Sequence, residues 1–140
     1  MSKAISNQFS GTSGNNAALI AAVENSGEKI TKEDVVGITK DPNGKIVWLE
    51  KGHLADRASG LSHIVEEHGS QFNGKGISNE EIPQYLMTAV KFGTIVEYQG
   101  RGKGRPIYEF KYEGKTHRVA ITIGSNGYIV GANPKKITED

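Results

Sequence analysis

Ile107-Tyr-Glu-Phe-Lys-Tyr-Glu-Gly-Lys-Thr-His-Arg-Val-Ala-Ile-Thr-Ile123 is the stretch whose reading decides the fold class. Tyr108, Phe110 and Tyr112 alternate with polar residues, and the period of two resumes after Glu113-Gly114. That period belongs to strands, so the stretch predicts two strands, residues 107–112 and 115–123, joined by a glycine turn. In the second strand His117, Val119, Ile121 and Ile123 share one face, while Arg118, Ala120 and Thr122 share the other. The aliphatic face is core, and His117 falls at its rim. Arg118 and Thr122, with only a small alanine between them, form a candidate floor for a phosphate. The competing reading is an ordinary solvent face, where arginine and threonine are common.

Further strands are predicted at 94–98 and 128–130, giving a C-terminal antiparallel sheet. Upstream, residues 54–68 predict a helix stopped by Gly69 in the role of the first residue beyond its end. Residues 71–76, rich in glycine and asparagine, predict a loop. The next helix has two candidate starts, a capping box of Ser78 with Glu81 and a first-turn proline at Pro83. Tyr85, Leu86, Ala89, Val90 and Phe92 supply its apolar side, and Gly93 ends it. Two earlier strands, 34–40 and 45–49, flank the turn Asp41-Pro-Asn-Gly44, and Trp48 is an anchor in the second. Residues 17–23 predict a short helix. Residues 1–16 read as a flexible polar extension, leaving 17–140 as a single domain. Helices first and an antiparallel sheet second give an α+β class.

A chain of 140 residues supports one core. Absence of cysteine removes disulfides, thiolate metal sites and cysteine nucleophiles from consideration. No apolar run reaches the length of a membrane span. Net charge is only +1, so no global field draws the chain onto nucleic acid. Locally, Arg101, Lys103, Arg105, Lys111, Lys115 and Arg118 face only Glu109 and Glu113, a patch able to dock phosphates. Gly100-Arg-Gly-Lys-Gly-Arg105 runs between strands and does not open a helix, which argues against a nucleotide-cradling loop. It reads as a cationic hairpin that follows an RNA backbone through Arg101, Lys103 and Arg105. Among the flanking aromatics, Tyr98 included, alternation favours core over a stacking platform.

Histidine titrates near neutrality and can move protons. At 100° per residue, His68 shares a stripe with Leu61, Ile64 and Val65, whereas His63 falls roughly opposite. His68 is therefore either a core-facing histidine with a satisfied ring nitrogen or a group presented to a cleft, and His63 either a solvated or a catalytic one. Their spacing is not that of a zinc site, and no metal or other cofactor is expected. His53, in a turn, has no visible partner.

These residues together resemble the C-terminal toxin domains of bacterial contact-dependent growth inhibition effectors. More broadly they resemble the barnase–EndoU–colicin–RelE group of ribonucleases, including related nuclease domains on phage proteins. The resemblance rests on His63-Ile-Val-Glu-Glu-His68-Gly69, on Glu81-Ile-Pro83, and on Asn126-Gly-Tyr-Ile-Val130, and covers roughly residues 54–134. Val23-Glu24-Asn25 is similar to the Val-Glu-Asn-Asn marker preceding such toxins, with Ser26 replacing its last residue. The resemblance implies N-terminal helices packed on a twisted antiparallel β-sheet, an active site in the cleft between them, and metal-free cleavage of tRNA. It also implies a cognate immunity protein, delivery to a target cell's cytoplasm within a larger secreted effector and, for some members, elongation factor Tu.

On this expectation the ribose 2′-hydroxyl attacks the adjacent phosphate. His63 or His68 acts as base or acid, Arg118 steadies the phosphorane, and Thr122 donates a hydrogen bond. Two other classes compete: a non-catalytic RNA- or protein-binding module, and a metal-dependent nuclease using His63, His68 and nearby carboxylates.

Overall fold

A computed structural model of the chain describes residues 14–52, 59–99 and 104–136. Among these residues three α-helices and six strands follow in the order α1 (Gly14–Asn25), β1 (Val35–Lys40), β2 (Ile46–Glu50), α2 (Gly60–Gly74), α3 (Ile82–Phe92), β3 (Thr94–Gln99), β4 (Arg105–Tyr112), β5 (Lys115–Ile123) and β6 (Ile129–Lys135). The class is α+β, as the alternation and helical stripes imply. β1 and β2 form a separate antiparallel hairpin, while β3-β4-β5-β6 make a four-stranded antiparallel sheet in sequence order.

The two-residue turn sets the register of that sheet. Glu113 and Gly114 both have positive φ, 51° and 83°, the hairpin geometry whose twist matches that of its strands. Tyr112 then faces Lys115, Phe110 faces His117 and Glu109 faces Arg118. One face of the sheet, carrying Phe110, Tyr112, Val119 and Ile121, packs with Ile64 and Phe72 of α2 and Leu86 and Val90 of α3 in the main core. The opposite face carries the charged and amide side chains. In the hairpin, Val47 and Leu49 join the main core, whereas Ile38 and Trp48 join a second cluster with Ile20 and Val23 of α1. The Trp48 backbone N–H donates to Gly127 O at 2.9 Å, tying the hairpin to the turn before β6.

Several element boundaries differ from the sequence reading. α2 does not stop at Gly69, which is buried within it. The apolar stripe continues to Phe72, which has no exposed surface, and core burial outweighs the helix penalty of one glycine. The helix ends instead around Lys75 and Gly76, the latter at φ 87°, with Ile77 N–H donating to Phe72 O at 3.0 Å. Residues 54–58 of the expected helix lie outside the described residues. α1 begins at Gly14, so the last three residues of the expected linker belong to it. Both candidate starts of the next helix are used. Ser78 N–H donates to Glu81 Oε1 at 2.9 Å around a 3₁₀ turn, and α3 follows with Pro83 in its first turn. β6 extends from the expected 128–130 to Lys135, because an edge strand tolerates Pro134.

Candidate functional site

Alternation along the four strands gathers one set of polar side chains on the face away from the helices. Cross-strand pairing places Glu109 opposite Arg118 and Arg118 opposite Lys135, and Glu97 on β3, which pairs with Ile107, reaches Arg118 diagonally. Arg118 Nε donates to Glu109 Oε2 at 2.9 Å, and Nη2 stands 2.9 Å from the same oxygen. Nη1 lies 3.6 Å from Glu97 Oε2. Glu109 Oε1 has no partner among the described residues. The cation thus fixes one carboxylate oxygen and leaves the other free to accept a proton or a hydrogen bond.

Two residues further along each strand, Ile107 and Ala120 are buried on this same face and form its floor. A second polar row runs diagonally from Asn133, opposite Ala120, to Arg105 and Gln99, which pair with each other. Arg105 Nη1 donates to Asn133 Oδ1 at 2.9 Å, and Asn133 Nδ2 donates to Gln99 Oε1 at 3.1 Å. The Arg105 guanidinium lies over Gly131, where an added Cβ would stand 3.3 Å from Nη2. Burial pulls the Arg105 pKa below its usual value.

The expected site residues are redistributed by this geometry. Arg118 and Thr122 do share a face, but Ala120 separates them, and four residues of strand span roughly 13 Å. Thr122 pairs with Gly131 at the Arg105 end, so the two do not form a single phosphate floor. Arg105 opens β4 and is half-buried on the sheet, not part of a loose hairpin. Arg101, Lys103 and His53 lie outside the described residues. His63 and His68 are half-buried on α2, which packs through Ile64 and Phe72 on the opposite side of the sheet. His68 Nδ1 bonds Gln71 Oε1 at 2.8 Å, and no described contact joins either histidine to Arg118 or Thr122.

His117 sits at the core's rim as the alternation implies. Tyr85 Oη lies 2.9 Å from its Nδ1. Burial pushes the Tyr85 pKa up, so the phenol keeps its proton and acts as donor. Burial, with Lys75 and Lys115 close by, holds His117 below its ordinary pKa. Next to it Tyr112 donates to Glu81 Oε2 at 3.0 Å, and the Ser78 N–H holds the Glu81 carboxyl below the usual range. This chain of bonds joins α3 to the sheet and faces the core, which marks it as structural. Tyr108, Phe110 and Tyr112 are at least half-buried, while Tyr98 on edge strand β3 is 53% exposed.

Glu97, Gln99, Glu109, Lys135 and Asn133 were not singled out as site residues by the sequence. Glu109 had a signal: a two-residue turn at Glu113-Gly114 makes it the partner of Arg118. Asn133 had none, because it falls in a segment of poor strand formers. Among the described residues no group of three or more histidines or carboxylates is placed to hold a metal ion. A groove of about 460 Å³ along Asn73, Gly76, Ile77, Ser78, Asn79 and Glu80 contains neither a cation nor a histidine. Among the described residues no helix is long and apolar enough to cross a membrane. No protein-family model and no curated protein matches the chain.

Proposed function

We propose that the chain is a metal-independent ribonuclease whose chemistry takes place at the Glu109–Arg118 end of the polar sheet face. The observation that carries this reading is the half-engaged carboxylate, with Arg118 holding Oε2 and leaving Oε1 free. Glu109 Oε1 takes the proton of a ribose 2′-hydroxyl, and the 2′ oxygen attacks the adjacent phosphorus. Arg118, fixed before substrate arrives, stabilises the extra charge of the phosphorane. The bond to the 5′ oxygen breaks, and that oxygen takes a proton from the Lys135 ammonium, cross-strand from Arg118. The products are a 2′,3′-cyclic phosphate and a 5′-hydroxyl.

Within the same reading, tRNA is the substrate class. The domain is the toxic end of a larger secreted effector acting in a target cell's cytoplasm, with elongation factor Tu a candidate helper. A cognate immunity protein presents an acidic surface to Arg105, Arg118 and Lys135. One observation favours a non-catalytic RNA-binding module instead: two carboxylates, Glu97 and Glu109, already face Arg118 and compete with a phosphate for it. Incubating the purified chain with total tRNA in excess chelator separates the readings. Cleavage supports the ribonuclease, cleavage only after metal is restored supports a metal-dependent nuclease, and binding alone supports the module.

A further inference from the structure

The second polar row has a chemical polarity of its own. A guanidinium has only donors, so the Asn133 atom facing Arg105 must be its oxygen. The Asn133 amide nitrogen therefore faces Gln99, donating to Gln99 Oε1 at 3.1 Å and more weakly to Pro134 O at 3.5 Å. That in turn directs the Gln99 Nε2 hydrogens away from Asn133. What remains unpaired among the described residues is the Gln99 amide N–H₂ and the Arg105 N–H groups not bound to Asn133. All of these are donors. On the same face Thr122, paired with Gly131, carries a hydroxyl that can donate or accept, while the Glu97 carboxylate turns toward Arg118.

An array of donors selects a ligand edge made of acceptors. Guanine presents two adjacent acceptors, O6 and N7, whereas adenine places an amino donor beside N7. Cytosine likewise presents an amino donor. We propose that Gln99, Asn133 and Arg105 form a base subsite that takes the O6/N7 edge of guanine, with Gly131 leaving room for the guanidinium. The subsite lies roughly 13 Å along β4 from Glu109, so it reads a base next to the cleaved phosphate rather than holding that phosphate. This inference rests on the ribonuclease reading for its role, but the recognition itself is measured without cleavage. A phosphate oxygen is also an acceptor, and the experiment distinguishes it.

The test is calorimetric titration of the full chain with guanosine 3′-monophosphate, adenosine 3′-monophosphate and inorganic phosphate. The guanine nucleotide should bind at least about tenfold more tightly than either other probe. Gln99→Glu keeps an oxygen for Asn133 but turns the outward group into an acceptor, so the guanine preference should vanish or reverse. Equal binding of the two nucleotides, phosphate binding as tightly as either, no measurable binding, or unchanged preference in Gln99→Glu would each overturn the subsite. A chain that cleaves RNA without discriminating loses the subsite alone. One that discriminates without cleaving loses the ribonuclease reading alone.

Discussion

The Arg118–Glu109 pair makes a quantitative prediction. At 2.9 Å, unit charges attract by about 1.4 kcal/mol in water and about 6 kcal/mol at the effective dielectric near a protein surface. The Arg118 side chain is 18% exposed and that of Glu109 35%, so the pair sits between these limits and has lost part of its hydration. Exposed pairs measure about 0.2–1 kcal/mol, and two donors converging on one fixed carboxylate raise that figure. A coupling of about 1–2 kcal/mol follows for the cycle Arg118→Gln, Glu109→Gln and the double variant. The assay is urea unfolding of all four proteins, with the coupling taken from the non-additivity of their free energies. In about 1 M salt it should shrink without vanishing, since the screening length of about 3 Å is comparable to the separation. Glu97, 57% exposed and 3.6 Å away, should cost less than about 0.5 kcal/mol when changed to Gln. A coupling below about 0.3 kcal/mol, or a Glu97→Gln cost equal to that of Glu109→Gln, would refute the claim that Glu109 holds Arg118 in place.

Gly131→Ala should leave stability unchanged or raise it by up to about 1 kcal/mol, because the new Cβ meets only the movable end of Arg105 and the unfolded chain loses freedom. Binding of guanosine 3′-monophosphate should weaken in the same protein, so a thermal melt and a titration must move independently. A second expectation concerns pH: native His117 resists protonation, so the unfolded chain binds that proton first and stability falls as pH drops below about 6.5. Glu81, with its pKa lowered, adds a further loss below about pH 4.5, in the same direction. Urea midpoints between pH 7.5 and 5.5 should therefore decline in the wild type and decline less in His117→Gln, which keeps an acceptor for Tyr85; an identical slope would dismiss His117 as the source.

Strand alternation and turn chemistry made most of the sheet legible in the sequence. Lys115–Ile123 was bounded at both ends by glycine-containing turns, and its core face was fixed by Val119 and Ile121. What misled was local chemistry outvoted by tertiary packing. Gly69 carries the signature of a helix stop, yet Phe72 beyond it has a place in the core, and α2 continues to reach it. Gly131, Asn133 and Pro134 are poor strand formers, so β6 was cut short, and with it went the partner of Arg105. The chemistry of His63 and His68 suits proton transfer, but side-chain type says nothing about which side of a sheet a helix will cover. The Glu113-Gly114 turn, by contrast, sets Glu109 against Arg118 through register alone, whatever the residue types.

The most direct test of the proposed site compares two variants on the same RNA in excess chelator. One is Glu109→Gln, and the other combines His63→Ala with His68→Ala. Single-turnover cleavage should fall by roughly 10²–10⁴-fold in Glu109→Gln and stay within a few-fold of wild type in the double histidine variant. Both proteins are first shown to be folded by their melting transitions. Loss of cleavage in the histidine variant with retention in Glu109→Gln would contradict the account and move the chemistry to the helix side of the sheet.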